Sequence, residues 1–385
     1  MSAAGGEAPR IAVVGWRLGG ELERAIASAT DRFRYVIVSM ALDEDLVGLV
    51  EWHRMPVTRF TSYRLRWLVF FVLAGVRVGR LRADAVHTIG PTPLIPNRAD
   101  LNTVTFCHAA FDGATAERRL KGSAAVVGWR VGQWAALRLE RWWFGRVGAL
   151  GGLSHGGVAE LRRHYPGARV VLTPRGIDTE RFRPDSAARE AFRAQEGIGA
   201  EAVVAVFVDQ DHRPLKGLEI AIEGFAAAAR SGGPDVLLVL GARNEVHAGL
   251  AARLGVADRV RFLGYRSDVE RVYQAADLFL LPTVYEVFCR AAHEAAACAL
   301  PVVASPVSGL RDLIGADEAG IAVRREPADV AAALVTLGSD AELRAQMGGV
   351  ARSRALDYEL ERSARRIVAE HEALVAPLSP ASARA

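Results

Sequence analysis

Two glutamates eight residues apart, Glu286 and Glu294, are the side chains of this sequence best suited to grip a polyhydroxylated ligand. Carboxylates are strong acceptors for hydroxyl donors. Glu286 comes shortly after an apolar run that ends at Leu281-Pro282, and Glu294 is read as opening an Ala-rich helix. One carboxylate at a strand tip and another on the adjoining helix can hold two parts of one ligand. The helix start between them offers free N–H groups to a phosphate. The plainer alternative is a surface glutamate and a helix-start glutamate favoured by the helix dipole.

A second cluster follows the apolar run 203–208: Asp209-Gln210-Asp211-His212-Arg213-Pro214-Leu215-Lys216-Gly217. A strand, a loop carrying Arg213 and Lys216, and then a helix is an arrangement that neutralises a diphosphate. Asp209 and Asp211 are also an acidic pair of the kind that helps hold a hard divalent cation, although turns favour aspartate anyway. In the first half, Gly15-Trp16-Arg17-Leu18-Gly19-Gly20-Glu21 reads as a glycine-containing turn opening a helix, where backbone can approach a ligand closely. It is not the GxGxxG dinucleotide fingerprint. His108, in Phe106-Cys107-His108-Ala109-Ala110-Phe111-Asp112, is expected at a strand end, either in a site or as a structural histidine; His87 reads as structural.

These residues need a scaffold of parallel strands, and the chain supplies the pattern twice. Short β-branched runs alternate with amphipathic stretches, the signature of α/β architecture. Strands are predicted at 10–15, 35–40, 84–89, 103–108, 148–154 and 169–173, and again at 202–208, 235–241, 260–263, 278–282, 301–305 and 320–323. Between the two series lies the turn-rich corner Pro174-Arg175-Gly176-Ile177-Asp178, followed by a polar stretch, 182–189, read as the inter-domain linker. The expected division is a domain over 1–183, a domain over 184–354, a C-terminal helix within 355–375 and a loose tail over 376–385. Ligands bind beyond the carboxyl ends of strands in such sheets, and two of them facing each other would enclose a cleft.

The totals agree with this division. A chain of 385 residues is too long for one ordinary core. With 51% apolar and 24% charged residues it is globular, and a net charge of +4 is too diffuse to argue for nucleic acid. Its three cysteines, Cys107, Cys289 and Cys298, form no CxxC pair, which fits a reducing, cytoplasmic setting without a zinc site or disulfide framework. Two stretches are unusual: the greasy run 67–76, flanked by Arg64, Arg66, Arg77 and Arg80, and 129–146, which places Trp134, Trp142 and Trp143 among Arg130, Arg138 and Arg141. They read either as two buried helices or as a surface that docks, peripherally, on the anionic inner face of a membrane. The first is about half the length needed to span a bilayer.

In order along nearly the whole chain, these pieces resemble the retaining GT-B glycosyltransferases of family 4. Gly19-Gly20-Glu21 is similar to the family's GG-x-E element and 84–87 to its D-x-V-H strand. The corner 174–178 with Phe182 and Pro184 is similar to P-N-G-[VI]-D…F-x-P, with Arg175 in place of Asn. Lys216-Gly217 matches K-G, Phe262-Leu263-Gly264 matches F-x-G, and Glu286 with Glu294 matches E-x7-E, followed by Pro301-Val302-Val303-Ala304. The resemblance implies two Rossmann-like, doubly wound domains facing a central cleft. It implies transfer of a sugar from a nucleotide-diphosphate sugar to an acceptor hydroxyl on a glycan, a lipid-linked sugar or a small molecule, without cofactor or metal. Glu294 would hold the ribose and Glu286 the donor sugar. Lys216, helped by amides around Val287, Phe288 and Cys289, would neutralise the diphosphate; Arg213 is a further candidate for it. His108, Gly19 and Gly20 would line the sugar and acceptor side, and the helix around 358–373 would cross back to the first domain. The sequence departs from the family at 209–211, where its G-R-L is absent, at Cys289 and at Ala299, both glycine in the family. These departures raise two alternatives, a non-catalytic partner subunit with a degenerate donor site and unusual donor specificity. A related GT-B sugar-nucleotide epimerase or phosphorylase is a third.

Overall fold

The computed structural model describes residues 8–16, 18, 21–56, 63–111, 123–209, 214–241 and 245–376. The chain divides into two compact units, one of Met1–Ala110, Val131–Gly176 and Leu360–Ala385, the other of Phe111–Arg130 and Ile177–Glu359.

The first unit is built on β1 (Arg10–Val14), β2 (Arg34–Ser39), β3 (Glu51–Arg54), β4 (Ala85–Ile89), β5 (Ala99–Thr103), β6 (Val147–Gly152) and β7 (Val170–Leu172). They form one parallel sheet in the order β3-β2-β1-β4-β5-β6-β7. β1 and β2 are nearly continuous buried apolar runs, as strands covered on both faces must be. The second unit is built on β8 (Val204–Val208), β9 (Val236–Leu240), β10 (Val260–Gly264), β11 (Leu278–Leu281), β12 (Val302–Ala304) and β13 (Gly320–Ala322), again parallel, in the order β10-β9-β8-β11-β12-β13. In each sheet the winding reverses once, between β1 and β4 and between β8 and β11. Such a switch point leaves a crevice at the carboxyl ends of the two strands.

Three sequence expectations change. The strand expected at 103–108 lies at Ala99–Thr103. Asp100 and Asn102 disguise it, because both are spent on the sheet: Asp100 Oδ2 accepts from Val86 N (2.7 Å), and Asn102 Nδ2 donates to the carbonyls of Thr88 and Gly90. His108 therefore stands in a turn beyond the strand, not at its end. β3 was not foreseen, since Glu51-Trp52-His53-Arg54 is an edge strand with no apolar run. The stretch 182–189 is no linker: Phe182 is buried beside Tyr273, Asp185 caps the helix Ser186–Glu196, and Arg189 pairs with Asp277 at 2.6 Å.

The C-terminal helix Leu360–Val375 packs in the first unit against the helix Glu21–Ala27 and is pinned by a buried hydrogen-bond chain. Tyr35 Oη lies 3.0 Å from His371 Nδ1, His371 Nε2 lies 2.9 Å from His87 Nδ1, and His87 Nε2 lies 2.9 Å from Thr103 Oγ1, which donates to Thr173. One proton assignment satisfies every member: each histidine is neutral, protonated on Nε2 and accepting on Nδ1. Burial supports it, pushing His371 down to about 4 and, together with His371 beside it, His87 well below the usual histidine range. His87 is thus a core residue.

Candidate functional site

The second unit assembles its site at the β8/β11 switch point. Lys216 ends the loop that follows β8, and Glu286 lies on the loop that follows β11. Lys216 Nζ stands 3.6 Å from Glu286 Oε1, and both side chains are mostly buried. The two loops are stitched together by backbone. Val284 N donates to Leu215 O (2.8 Å), and Thr283 Oγ1 to the same carbonyl (3.2 Å). Gly217 adopts φ +81° with its α-carbon against the Pro282 carbonyl; a Cβ there would sit 2.3 Å from that oxygen. Only glycine meets both demands, so the K-G pairing is dictated by position as well as charge. On the other side, Gly309 N and Ser308 Oγ donate to the Glu286 carbonyl (2.8 and 3.2 Å). A Cβ on Gly309 would come within 2.6 Å of Phe288 N.

Behind this loop, the buried Phe288 ring stacks on His293 (4.1 Å, 17°), whose Nδ1–H donates to the Cys289 carbonyl at 2.9 Å. Burial pushes His293 down to about 4, so it is neutral and serves as a prop. Burial likewise pushes the Cys289 thiol up to about 12. Burial acts to lower Lys216, but nearby Cys289, Glu286 and Asp209 outweigh it and hold the ammonium above the usual lysine range. Because the Cys289 thiol is neutral near pH 7, the charge holding Lys216 protonated there comes from Glu286 and Asp209.

Glu294 lies in the second turn of the helix Arg290–Ala297 and does not open it; Cys289 is the N-cap. Arg290 Nε donates to Glu294 Oε1 at 2.8 Å. The two departures from family glycines have different consequences. Cys289 has φ −86°, which any residue adopts, and its side chain is buried. Ala299 is held at φ +62°, a left-handed conformation that costs a non-glycine residue about 1 kcal/mol or more. Gly19, Gly20, Asp211 and Arg213 lie outside the described residues. Among the described residues, no group of three His, Cys, Asp or Glu side chains is placed to hold a metal ion.

In the first unit, the His108 turn is anchored by a residue the sequence reading missed. Glu140, buried on the helix Ser123–Phe144, accepts from His108 N (2.6 Å), Ala109 N (3.0 Å) and Tyr165 Oη (2.6 Å), with the Cys107 thiol at 3.8 Å. Burial and this carboxylate push the phenol of Tyr165 up, as they push the Cys107 thiol up to about 12. The available signal was that Glu140 is the one acid in a helix otherwise rich in Arg and Trp. His108 Nδ1 is buried and has no hydrogen-bond partner among the described residues.

Residues 21–181 match the family model described as Glycosyltransferase Family 4, and residues 202–340 match Glycosyl transferases group 1. The D-inositol 3-phosphate glycosyltransferase of Geodermatophilus obscurus is 35% identical over a segment covering 59% of this chain and 52% of that protein. Its counterpart in Salinispora arenicola is 33% identical over 56% of this chain and 52% of that protein. The chain thus spans about half the length of the curated relatives it matches. Among solved structures, sucrose-phosphate synthase from Thermosynechococcus elongatus superposes with a TM-score of 0.75 at 19% identity, covering 96% of this chain and 100% of that one. HepE of Anabaena, solved in complex with UDP-glucose, superposes with a TM-score of 0.65 at 20% identity, covering 94% and 99%. At these identities the likeness shows the fold, two Rossmann-like α/β units of the GT-B type.

Proposed function

We propose that this chain, which carries a family 4 and a group 1 glycosyltransferase segment in succession, moves a sugar from a nucleotide-diphosphate sugar to an acceptor hydroxyl, with retained anomeric configuration and without a metal. The observation that carries this reading is the Lys216–Glu286 pair at the β8/β11 switch point. A donor entering there brings a diphosphate that draws Lys216 away from Glu286. The freed carboxylate then accepts hydrogen bonds from the sugar. The amides at Phe288 and Cys289, at the start of a helix, face the same phosphates, and Glu294 exchanges Arg290 for the ribose hydroxyls.

As the bond between the anomeric carbon and the phosphate oxygen breaks, negative charge grows on the leaving diphosphate. Fixed cations and amides stabilise that charge without reorganising. The acceptor oxygen bonds to the same face of the anomeric carbon, and its proton passes to the departing phosphate oxygen. His108, Gly19 and Gly20 are assigned to the sugar and acceptor side. The acceptor is assigned to the unit of 1–110, 131–176 and 360–385, and the donor to the unit of 111–130 and 177–359.

UDP is the first nucleotide to try, because the Anabaena relative is a UDP-glucose complex. Calorimetric titration with UDP, GDP, ADP and dTDP should give one binder, and Glu294→Gln should weaken it at least ten-fold. Failure of all four to bind the wild-type chain would remove the donor site, and the non-catalytic reading would replace this one.

A further inference from the structure

The first unit holds a cavity that the donor chemistry does not use. It opens beside His108, offers about 80 Å³ of space, and is walled by Phe71, Val104, Phe106, Leu139, Trp143 and Phe144 among others. Its lining also holds three polar atoms cut off from water: Asn102 Oδ1, His108 Nδ1 and Trp143 Nε1. None of these has a hydrogen-bond partner among the described residues. Asn102 and Trp143 are almost fully buried. An unmatched buried donor or acceptor carries a desolvation penalty that a complementary ligand group relieves.

The cavity does not end at its walls. Leu139 lines it and is also 42% exposed, so the apolar lining runs out to the surface. There it meets Val131, Trp134 and Trp142, all exposed, on the helix Ser123–Phe144. Phe71, on the opposite wall, comes from the helix Tyr63–Arg80, whose Leu68, Val72, Leu73 and Val76 are exposed. The reading of these helices as two buried helices does not hold whole: each buries one face and presents another. The charge on them is one-sided. The helix Tyr63–Arg80 has four arginines and no acid, and on Ser123–Phe144 the one acid, Glu140, is turned inward onto the His108 turn. Arg138 and Arg146 lie over the rings of Trp134 and Trp142 at 5.2 and 5.0 Å. Exposed tryptophan and aliphatic side chains framed by arginine fit the boundary between headgroups and acyl chains of an anionic bilayer.

We infer that the acceptor is an amphiphile drawn from an anionic membrane: the Arg-framed faces of these two helices seat on the bilayer, and the cavity beside His108 takes the oxygen-bearing head of its hydrocarbon chain. This deepens the glycosyltransferase reading by naming the acceptor class, and it rests on that reading for the role of His108. The curated relatives are named for a soluble polyol phosphate, so the inference separates this chain from them.

The test uses the full chain and three titrations. Flotation should show binding to phosphatidylglycerol vesicles at least ten-fold tighter than to phosphatidylcholine vesicles, and Val131→Glu with Trp134→Glu should abolish it. Lauroyl-lysophosphatidylglycerol, below its micelle-forming concentration, should bind the wild type. Ala136→Phe, which fills the cavity, should weaken that binding at least ten-fold while vesicle flotation persists. Leu139→Glu, at the exposed rim, should do the same to the lysolipid if the first variant fails to fold. Indifference of the wild type to both lipids, or equal lysolipid binding by the folded cavity variants, overturns the inference. Nucleotide titration of the same proteins keeps the two readings apart. A chain that binds its nucleotide but no lipid remains a glycosyltransferase with a soluble acceptor, whereas one that binds lipid but no nucleotide loses the donor assignment instead.

Discussion

The two units use the same parallel architecture but hold their chemical groups in different ways. In the second, Lys216, Glu286 and the 287–289 amides are fixed by backbone: Val284 to Leu215, Gly309 to Glu286, and two glycines that admit no Cβ. In the first, the His108 turn hangs on a single buried carboxylate from a distant helix, with apolar space and unmatched polar atoms beside it. A backbone-stitched site is preorganised for a charge that always has the same shape, such as a diphosphate. A turn anchored at one point beside a cavity is suited to a ligand chosen by fit.

If the contrast is sound, the largest effect of any single change belongs to the stitched site. Lys216→Ala should lower turnover by about 10²–10³, the usual consequence of deleting one fixed stabiliser of a leaving or developing anion. Circular dichroism should stay near wild type, while Tm should fall, because the mostly buried Glu286 carboxylate loses its cation. Near-normal turnover in a folded variant would break both the comparison and the role given to Lys216.

The same contrast explains what could be read beforehand. Lys216, Glu286 and Glu294 lie in short contiguous segments next to strongly apolar strands, so type and spacing single them out as candidates. Twelve of the strands were placed from β-branched runs, eleven of them within two residues of an end; the exception is β5, where Asp100 and Asn102 interrupt the run because they bond to neighbouring strands. β3 escaped because an edge strand need not be apolar. Glu140 was invisible for a different reason: its partners are backbone amides 31 and 32 residues earlier and a tyrosine 25 residues later, a coincidence of folding that no local pattern encodes. The strain at Ala299 was visible only as a departure from glycine.

A smaller effect is expected in the first unit. Glu140→Ala leaves two turn amides and the Tyr165 hydroxyl without their acceptor, at about 1–3 kcal/mol of stability for buried polar groups that stay unmatched. Thermal denaturation should show that loss. Acceptor KM should rise while nucleotide affinity stays unchanged, which separates a positioning role from general instability. A parallel fall in nucleotide affinity would mean that the His108 turn is not an acceptor-side element.

The finest test concerns the buried histidines, one set in each unit. His371, in the first, and His293, in the second, are both held down to about 4 by burial. In the unfolded chain each would titrate near 6.5. Between those values the unfolded state binds the extra proton and the folded state does not. Stability is therefore fully present above about pH 6.5 and falls as the pH drops toward 4, by up to about 1.4 kcal/mol per pH unit for each histidine. His371→Gln and His293→Gln should each flatten the dependence of Tm on pH between 6.5 and 4, whatever they do to Tm at neutral pH. The consequences should then differ by unit. Acid should loosen the C-terminal helix through the Tyr35–His371–His87 chain, seen as faster amide exchange over 360–375. In the second unit it should act through the prop behind Phe288 and Cys289, seen as weaker nucleotide binding. Profiles for the two variants that run parallel to wild type would show that neither histidine is buried neutral, and the propping of the donor loop by His293 would fall with that result.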